Sequence, residues 1–154
     1  MSQYFFDSSA LVKRYVDESG TAWVVALTAP EAENVLIVAQ IAQVEIVSSV
    51  MRRAREGSLS ERMARQTRLL VDLDMARQYR IVALTGDIVE RAEDLLERHV
   101  LRASDAIQLA SALEARERII VDAPGGLSFV SSDVRLLAAA ASEGLTTIDP
   151  NTRI

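Results

Sequence analysis

The stretch Tyr4-Phe5-Phe6-Asp7-Ser8-Ser9, close to the start of the chain, joins a short apolar run to a single carboxylate. We predict that Gln3 to Phe6 form a buried strand, because short aromatic runs of this kind are typical of strands. Asp7 alone would be interpreted as the cap of the next helix, but Ser8 or Ser9 can take that place. Asp7 is then free for another task, and an acid at the carboxyl end of a buried strand is where open α/β sheets build their sites.

The bulk composition limits the classes of protein that this chain can belong to. Its 154 residues, 49% hydrophobic and 25% charged, are typical of one globular domain. It has no cysteine and a single histidine, so oxygen atoms are the plentiful metal ligands. The net charge of −5 means that any role with nucleic acid would depend on local patches or on metal ions. We see no leader pattern and no bilayer-spanning run, so we expect a cytoplasmic protein without a membrane partner.

Strands and helices are predicted to alternate along the rest of the chain. Apolar and β-branched runs predict further strands at 34–38, 81–84, 127–130 and 145–148, and a short β-like run at 119–121. Helices are predicted to begin near residues 8, 21, 40, 60, 85, 104 and 133. The buried residues of the third and fourth of these helices are predicted to include Ile41, Val44, Val47 and Met51, then Met63, Leu69, Leu70, Leu73 and Ala76. The alternation predicts an α/β fold with a mostly parallel sheet that helices cover on both faces.

Glu45 and Asp105 are acids on predicted helix faces that also carry apolar residues. Ile41 lies one turn before Glu45, and leucines lie one turn away on either side of Asp105. A buried carboxylate without a partner is costly, so Glu45 would need a cation, a metal ion or a proton. An arginine elsewhere on the fold could provide that cation. Asp105 could equally be a first-turn aspartate that the helix dipole favours.

Asp133 repeats the pattern at the start of the chain, because Phe129-Val130-Ser131-Ser132 lead from a predicted strand directly to it. A helix cap is the simplest explanation for this aspartate too. Two strand ends with serines and an aspartate nevertheless indicate one edge of one parallel sheet. Mg²⁺ and Mn²⁺ prefer such clusters of oxygen ligands and support hydrolysis at phosphoryl centres. We therefore predict a metal site for phosphodiester hydrolysis, formed by Asp7, Glu45, Asp105 and Asp133.

The ordered set of these segments resembles PIN domains, and in particular the VapC-type toxins of bacterial and archaeal toxin–antitoxin pairs. The matching segments are Phe6-Asp7-Ser8-Ser9-Ala10-Leu11-Val12-Lys13, Val44-Glu45-Ile46, Arg102-Ala103-Ser104-Asp105-Ala106-Ile107-Gln108-Leu109-Ala110 and Phe129-Val130-Ser131-Ser132-Asp133. The resemblance implies a single PIN-like domain over residues 1–154. It also implies a three-layer α/β/α sandwich with a mostly parallel central sheet of four to five strands.

The resemblance also implies an activity, a cofactor and partners. The activity is that of an endoribonuclease dependent on Mg²⁺ or Mn²⁺, with the four acids above as its catalytic and metal-binding residues. Ser9 and Ser131 match positions whose hydroxyl groups support the site. A homodimer and a small antitoxin, whose tail enters the acidic groove, are the implied protein partners. The segment 118–126 is longer than is usual in these toxins, which makes Asp122 a minor site candidate.

Basic residues near these segments are candidate contacts for RNA phosphates, namely Lys13, Arg14, Arg52 and Arg102. Two other functions compete with the ribonuclease. A phosphatase of the aspartyl-phosphate type would need a second aspartate two residues after Asp7, where this chain has Ser9. A PIN-like fold kept only for binding would use its acids to hold the arginines of a partner protein.

Overall fold

The computed structural model describes residues 1–119 and 126–153. Asp122 lies outside the described residues. Residues 120 and 121 of the β-like run predicted at 119–121 also lie outside them. In the part of the chain that is described, none of the helices is both long and apolar enough to cross a bilayer.

A parallel sheet lies at the centre of the protein. Within the described residues it has five strands in the order β3-β2-β1-β4-β5, and all four pairings are parallel. The strands are β1 (Gln3–Phe6), β2 (Val35–Ala39), β3 (Tyr79–Val82), β4 (Leu127–Val130) and β5 (Thr146–Ile148). The prediction of a mostly parallel sheet of four to five strands is therefore confirmed.

Helices cover both faces of this sheet. They are α1 (Ser8–Leu11), α2 (Thr21–Thr28), α3 (Ala42–Arg55), α4 (Glu61–Arg77), α5 (Gly86–Arg98), α6 (Ala103–Ile119) and α7 (Val134–Ser142). One apolar core joins the sheet to α5, α6 and α7, and a second core joins the opposite face to α1, α2, α3 and α4. The three-layer α/β/α sandwich is confirmed by these two cores.

The central strand β1 alternates between the two cores, because successive side chains of a strand point to opposite faces. Phe5 belongs to one core, where its ring stacks on Phe129 at a centroid distance of 5.7 Å, and Phe6 belongs to the other core. The backbone N–H of Asp7 still donates to the carbonyl of Val130 at 3.1 Å, which extends the ladder by one residue. Residues that follow β1 and β4 therefore come out at the same edge of the sheet.

The prediction that Ser8 or Ser9 caps the first helix is wrong. Asp7 is the N-cap of α1, because its backbone is extended and its carboxylate accepts a hydrogen bond from the N–H of Ala10. Ser8 and Ser9 are the first two residues of the helix itself. The short loop between strand and helix leaves room for only one capping residue.

The apolar faces predicted for α3 and α4 are also partly wrong. The buried residues of α3 are Ala42, Ile46 and Val50, whereas the side chain of Val44 is 65% exposed. The predicted apolar residues of α4, apart from Ala76, are between 42% and 68% exposed. Both helices carry apolar residues on more than one face, and α3 and α4 pack against each other. The buried residues of α4 are Ala64, Val71, Asp74 and Met75.

We predict that Gly20→Ala destabilises the fold. Gly20 has a left-handed backbone with φ of +84°, and an added Cβ would lie 2.5 Å from the carbonyl oxygen of Pro150. The backbone strain should cost about 1–2 kcal/mol and the overpacking about 1–3 kcal/mol more in the free energy of unfolding. Urea denaturation measures the loss. Gly57→Ala is the matched control, because φ is +81° there and no atom lies within 4 Å of the added Cβ. Equal losses for the two variants would show that the contact with Pro150 has no effect.

Candidate active site

Asp7 lies at the carboxyl end of β1 and is only 3% exposed. Its carboxylate accepts hydrogen bonds from the hydroxyl of Ser9 at 2.8 and 3.0 Å and from the hydroxyl of Ser131 at 3.1 Å. The N–H of Ala10 donates to the same carboxylate at 3.0 Å. The two hydroxyl residues singled out in the sequence thus contact Asp7 directly.

Burial raises the pKa of Asp7 from its ordinary value of 3.8 to about 7. The hydrogen bonds from Ser9, Ala10 and Ser131 lower it, and the negative charge of Glu45 raises it further. Among the described residues, no lysine or arginine forms an ion pair with Asp7. Asp7 is therefore a buried carboxylate that lacks a cation, and a positive ion in its surroundings would favour its charged form.

The hydroxyl groups around Asp7 join the ends of β1 and β4. The hydroxyl of Ser9 accepts a hydrogen bond from the backbone N–H of Ser132 at 2.9 Å. The hydroxyl of Ser131, in turn, accepts from the N–H of Asp133 at 3.0 Å. The position of Asp133 relative to Asp7 is fixed by this network.

Glu45 lies in the first turn of α3 and is partly buried. Its Oε1 accepts a hydrogen bond from Nε2 of Gln108 at 2.7 Å, across the contact between α3 and α6. Sequence reasoning gave Gln108 no role. The available signal was a polar residue at a position of α6 where its neighbours Ala106, Leu109 and Ala110 are fully buried.

Asp105 and Asp133 share one arginine. Nε of Arg102 lies 3.2 Å from Oδ2 of Asp105, and one terminal nitrogen lies 3.5 Å from Oδ2 of Asp133. The hydrogen bond to Asp105 is the largest cause of a raised pKa for Arg102, whose side chain is 77% exposed. The other oxygen of Asp133 accepts from the N–H groups of Arg135 and Leu136. Asp133 thus caps α7 and still has one oxygen available at the site.

One cavity of about 510 Å³ is lined by all four predicted acids, Asp7, Glu45, Asp105 and Asp133. Five serines line it too, namely Ser8, Ser9, Ser48, Ser49 and Ser104. Of the four predicted RNA contacts, the lining includes Arg52 and Arg102 but neither Lys13 nor Arg14. The fold therefore collects the acids and two arginines at one edge of the sheet.

Lys13 and Arg14 have other partners, which argues against the RNA contacts predicted for them. Lys13 is buried, and its Nζ lies 2.9 Å from a carboxylate oxygen of Glu18. Arg14 donates to the hydroxyl of Tyr79 at 2.8 Å and lies 3.3 Å from Asp74. Spacing along a helix predicts where the backbone of a basic residue lies. The partners of its long side chain depend on the folded chain.

The donor set of the cavity fits a hard divalent ion. Mg²⁺ and Mn²⁺ prefer carboxylate oxygens, and the buried carboxylate of Asp7 lacks a cation. As the side chains stand, however, no group of three or more Asp, Glu or His residues within 1–119 and 126–153 is arranged to hold a metal ion. Arg102 already holds two of the acids, and neutral donors hold the other two. The four-acid metal site stays a prediction.

Comparison with known proteins identifies the family. The family model described as PIN domain matches residues 4–141. Ribonuclease VapC45 of Mycobacterium tuberculosis (strain CDC 1551 / Oshkosh) is 32% identical over 114 residues, which are 73% of this chain and 76% of that protein. A toxin–antitoxin complex from Klebsiella pneumoniae has a similar fold, with a TM-score of 0.60 and 19% identity over 96% of this chain and 97% of that one. VapC20 of Mycobacterium tuberculosis, described as a Sarcin-Ricin loop cleaving toxin, has a TM-score of 0.62 and 17% identity over 93% of this chain and 96% of that one. The chain therefore belongs to the PIN-domain family and is a relative of the VapC-type toxins.

Proposed function

We propose that this protein is a metal-dependent endoribonuclease that hydrolyses RNA phosphodiester bonds as the toxin of a toxin–antitoxin pair. The observation that carries the proposal is the acid-lined cavity, in which Asp7 is buried without a cation. The similarity to a protein named as a VapC ribonuclease supports the same activity. We further propose that residues 1–154 form one domain and that the protein acts in the cytoplasm.

Asp7, Glu45, Asp105 and Asp133 are the residues proposed to hold Mg²⁺ or Mn²⁺ and to act in catalysis. When bound, such an ion lowers the pKa of water and stabilises charge on a phosphoryl centre. The hydroxyl groups of Ser9 and Ser131 orient the carboxylate of Asp7 through the hydrogen bonds that they donate to it. The burial of Asp7 keeps bulk water away from that carboxylate.

Arg102 and Arg52 are proposed to hold the phosphates of RNA at the rim of the cavity. Arg102 is largely exposed, so its guanidinium can move from the acids to a phosphate, but the carboxylate of Asp105 is only 14% exposed and would then need another cation. A divalent ion beside Asp105 and Asp133 would supply that cation and would balance both carboxylates, whereas Arg102 carries only one positive charge. This exchange would reconcile the ion pairs seen in the structure with the metal site that the function requires.

We propose two protein partners, a small antitoxin and a second copy of this chain. The guanidinium of Arg102 between Asp105 and Asp133 is a chemical analogue of an antitoxin arginine that enters the cavity. Support for the homodimer comes from the apolar residues that α4 exposes, namely Met63, Leu69, Leu70 and Leu73.

A catalytically silent binding protein is the second candidate function. The ion pairs of Arg102 with two acids support it, because an arginine of a partner protein would present the same guanidinium group to these acids. In that case the protein would bind an arginine-bearing partner and would not cut RNA, whether or not a metal ion is added.

We predict that the purified protein cuts single-stranded RNA only with Mg²⁺ or Mn²⁺ and that Asp7→Asn abolishes cutting. The loss should exceed about 100-fold, because even the outer-shell partners of a metal ion typically contribute 10–100-fold. Gel analysis of labelled RNA measures the rate, and growth after induced expression provides a second measurement, since the wild type should arrest growth and Asp7→Asn should not. The control is Asp94→Asn, which changes an exposed acid of α5. Cutting that persists in chelator would contradict the metal mechanism, and no cutting by a folded wild type would favour the binding protein.

The raised pKa of Asp7 leads to a second prediction, about stability and pH. A folded-state pKa of about 7 against 3.8 means that the folded state loses stability as the pH rises from 3.8 through 7. Asn retains the cap, because its Oδ1 can accept from the N–H of Ala10, and its amide NH2 can donate to the hydroxyl of Ser131, but it cannot ionise. At pH 8, the free energy of unfolding of metal-free Asp7→Asn should therefore exceed that of the wild type by up to about 4 kcal/mol, and its unfolding temperature should be higher. At pH 4 the two proteins should unfold at similar temperatures. Calorimetry at both pH values measures the difference. A difference that does not depend on pH would mean that water or a cation reaches the carboxylate.

Arg102→Ala should weaken RNA binding and make it less dependent on salt. Loss of one phosphate contact should reduce the slope of log affinity against log salt by about 0.7 for a single strand. Fluorescence anisotropy with a labelled RNA measures this slope, with Asp7→Asn present in every variant to prevent cutting. Arg55→Ala is the control, because Arg55 is exposed at the end of the same helix as Arg52 but does not line the cavity. An unchanged slope for Arg102→Ala would exclude a phosphate contact at this residue.

A further inference from the structure

Gln108 is a buried amide that contacts one of the four acids from outside the cavity. It lies on α6 three residues after Asp105, is 1% exposed and does not line the cavity. Its Nε2 donates to Oε1 of Glu45 at 2.7 Å. Any effect of Gln108 on the contents of the cavity must therefore pass through Glu45.

The other end of this amide has no partner. Oε1 of Gln108 is buried and accepts no hydrogen bond from the described residues. A buried polar atom without a partner typically costs about 1–3 kcal/mol in the free energy of unfolding. The opposite orientation of the amide would not give its carbonyl oxygen a partner. The oxygen would then face the carboxylate of Glu45, and both groups are acceptors. A residue chosen for stability alone would be apolar here, as its neighbours Leu109 and Ala110 are.

We propose that Gln108 is a positioning residue that orients the carboxylate of Glu45 for a divalent ion in the cavity. The proposal rests on the metal-dependent function proposed above. A glutamate side chain has three rotatable bonds, and the hydrogen bond to Oε1 restricts them while leaving Oε2 outside that bond. Carboxylates that bind metal ions are typically held by hydrogen bonds of this kind, and the loss of such a partner weakens metal binding.

The position of Gln108 on α6 gives this hydrogen bond a second consequence. Asp105, on the same helix, lines the cavity itself, whereas Glu45 comes from α3. The hydrogen bond from Gln108 links the acid of α3 to the helix that carries Asp105. The hydrogen bond therefore restricts the position of the Glu45 carboxylate relative to Asp105.

A purely structural role is the alternative, in which the hydrogen bond only joins α3 to α6. The same helix provides a matched case, because Nε2 of Gln43 donates to Oδ1 of Asp72 at 2.8 Å and joins α3 to α4. Neither Gln43 nor Asp72 lines the cavity. Substitution of Gln43 therefore removes an amide–carboxylate hydrogen bond of nearly equal length without touching the predicted metal ligands.

The test compares Gln108→Met with Gln43→Met in metal-free full-length protein without RNA. Isothermal titration with Mn²⁺ should show about tenfold weaker binding or worse for Gln108→Met and wild-type binding for Gln43→Met. The melting temperature of Gln108→Met should equal or exceed that of the wild type, because the buried carbonyl oxygen is gone. In RNA cleavage assays, the Mn²⁺ concentration for half-maximal rate should rise while the KM for RNA stays unchanged. Gln108→Leu is the second variant, in case methionine does not pack in this position.

Wild-type Mn²⁺ affinity in Gln108→Met would overturn the positioning role while leaving the proposed function intact. A lower melting temperature in both Gln108→Met and Gln108→Leu would also overturn it, because the hydrogen bond would then serve the fold. A wild-type protein that neither binds Mn²⁺ nor cuts RNA would overturn the proposed function and this inference together.

Discussion

The burial of one carboxylate at the end of the central strand is the constraint on which the rest of the site depends. Asp7 still shares a ladder hydrogen bond with Val130, so the chain cannot turn towards solvent before its side chain is enclosed. The enclosed carboxylate then needs donors from both strand ends, and Ser9 and Ser131 provide them. Because these two serines also accept from the backbone of Ser132 and Asp133, the end of β4 takes its position from the end of β1.

Capping and site formation are compatible in this protein, although the sequence presents them as alternatives. A carboxylate has two oxygens, and a helix cap needs only one of them. Oδ1 of Asp133 accepts from the first N–H groups of α7, while Oδ2 lies near Arg102. Asp7 likewise caps α1 through Ala10 while its carboxylate lines the cavity. Both aspartates are therefore helix caps, as aspartates before helices commonly are. The cap does not prevent either of them from lining the cavity.

The sequence predicted the strands and the convergence of the acids because both follow from local patterns. Parallel strands end at one edge of the sheet, and the two aspartates lie near each other because β1 and β4 are neighbouring strands. The contacts of long side chains could not be predicted in the same way. Lys13 forms an ion pair with Glu18, and Gln108 donates a hydrogen bond from α6 to Glu45 on α3. Neither contact follows from the periodic spacing of apolar residues in the sequence. Periodicity also gives the spacing of apolar residues but not the face that packs, which explains why Val44 is exposed.

The negative charges of the four acids are compensated in two different ways, and this difference bears on the proposed function. Arg102 provides positive charge to Asp105 and Asp133, whereas the donors that hold Asp7 and Glu45 are neutral. The charge of Glu45 raises the pKa of Asp7, so the charges of these two acids oppose each other. A divalent ion would gain most where negative charge is least compensated, which is beside Asp7 and Glu45. The neutral donors thus keep the acids in place without neutralising the charge that a metal ion requires.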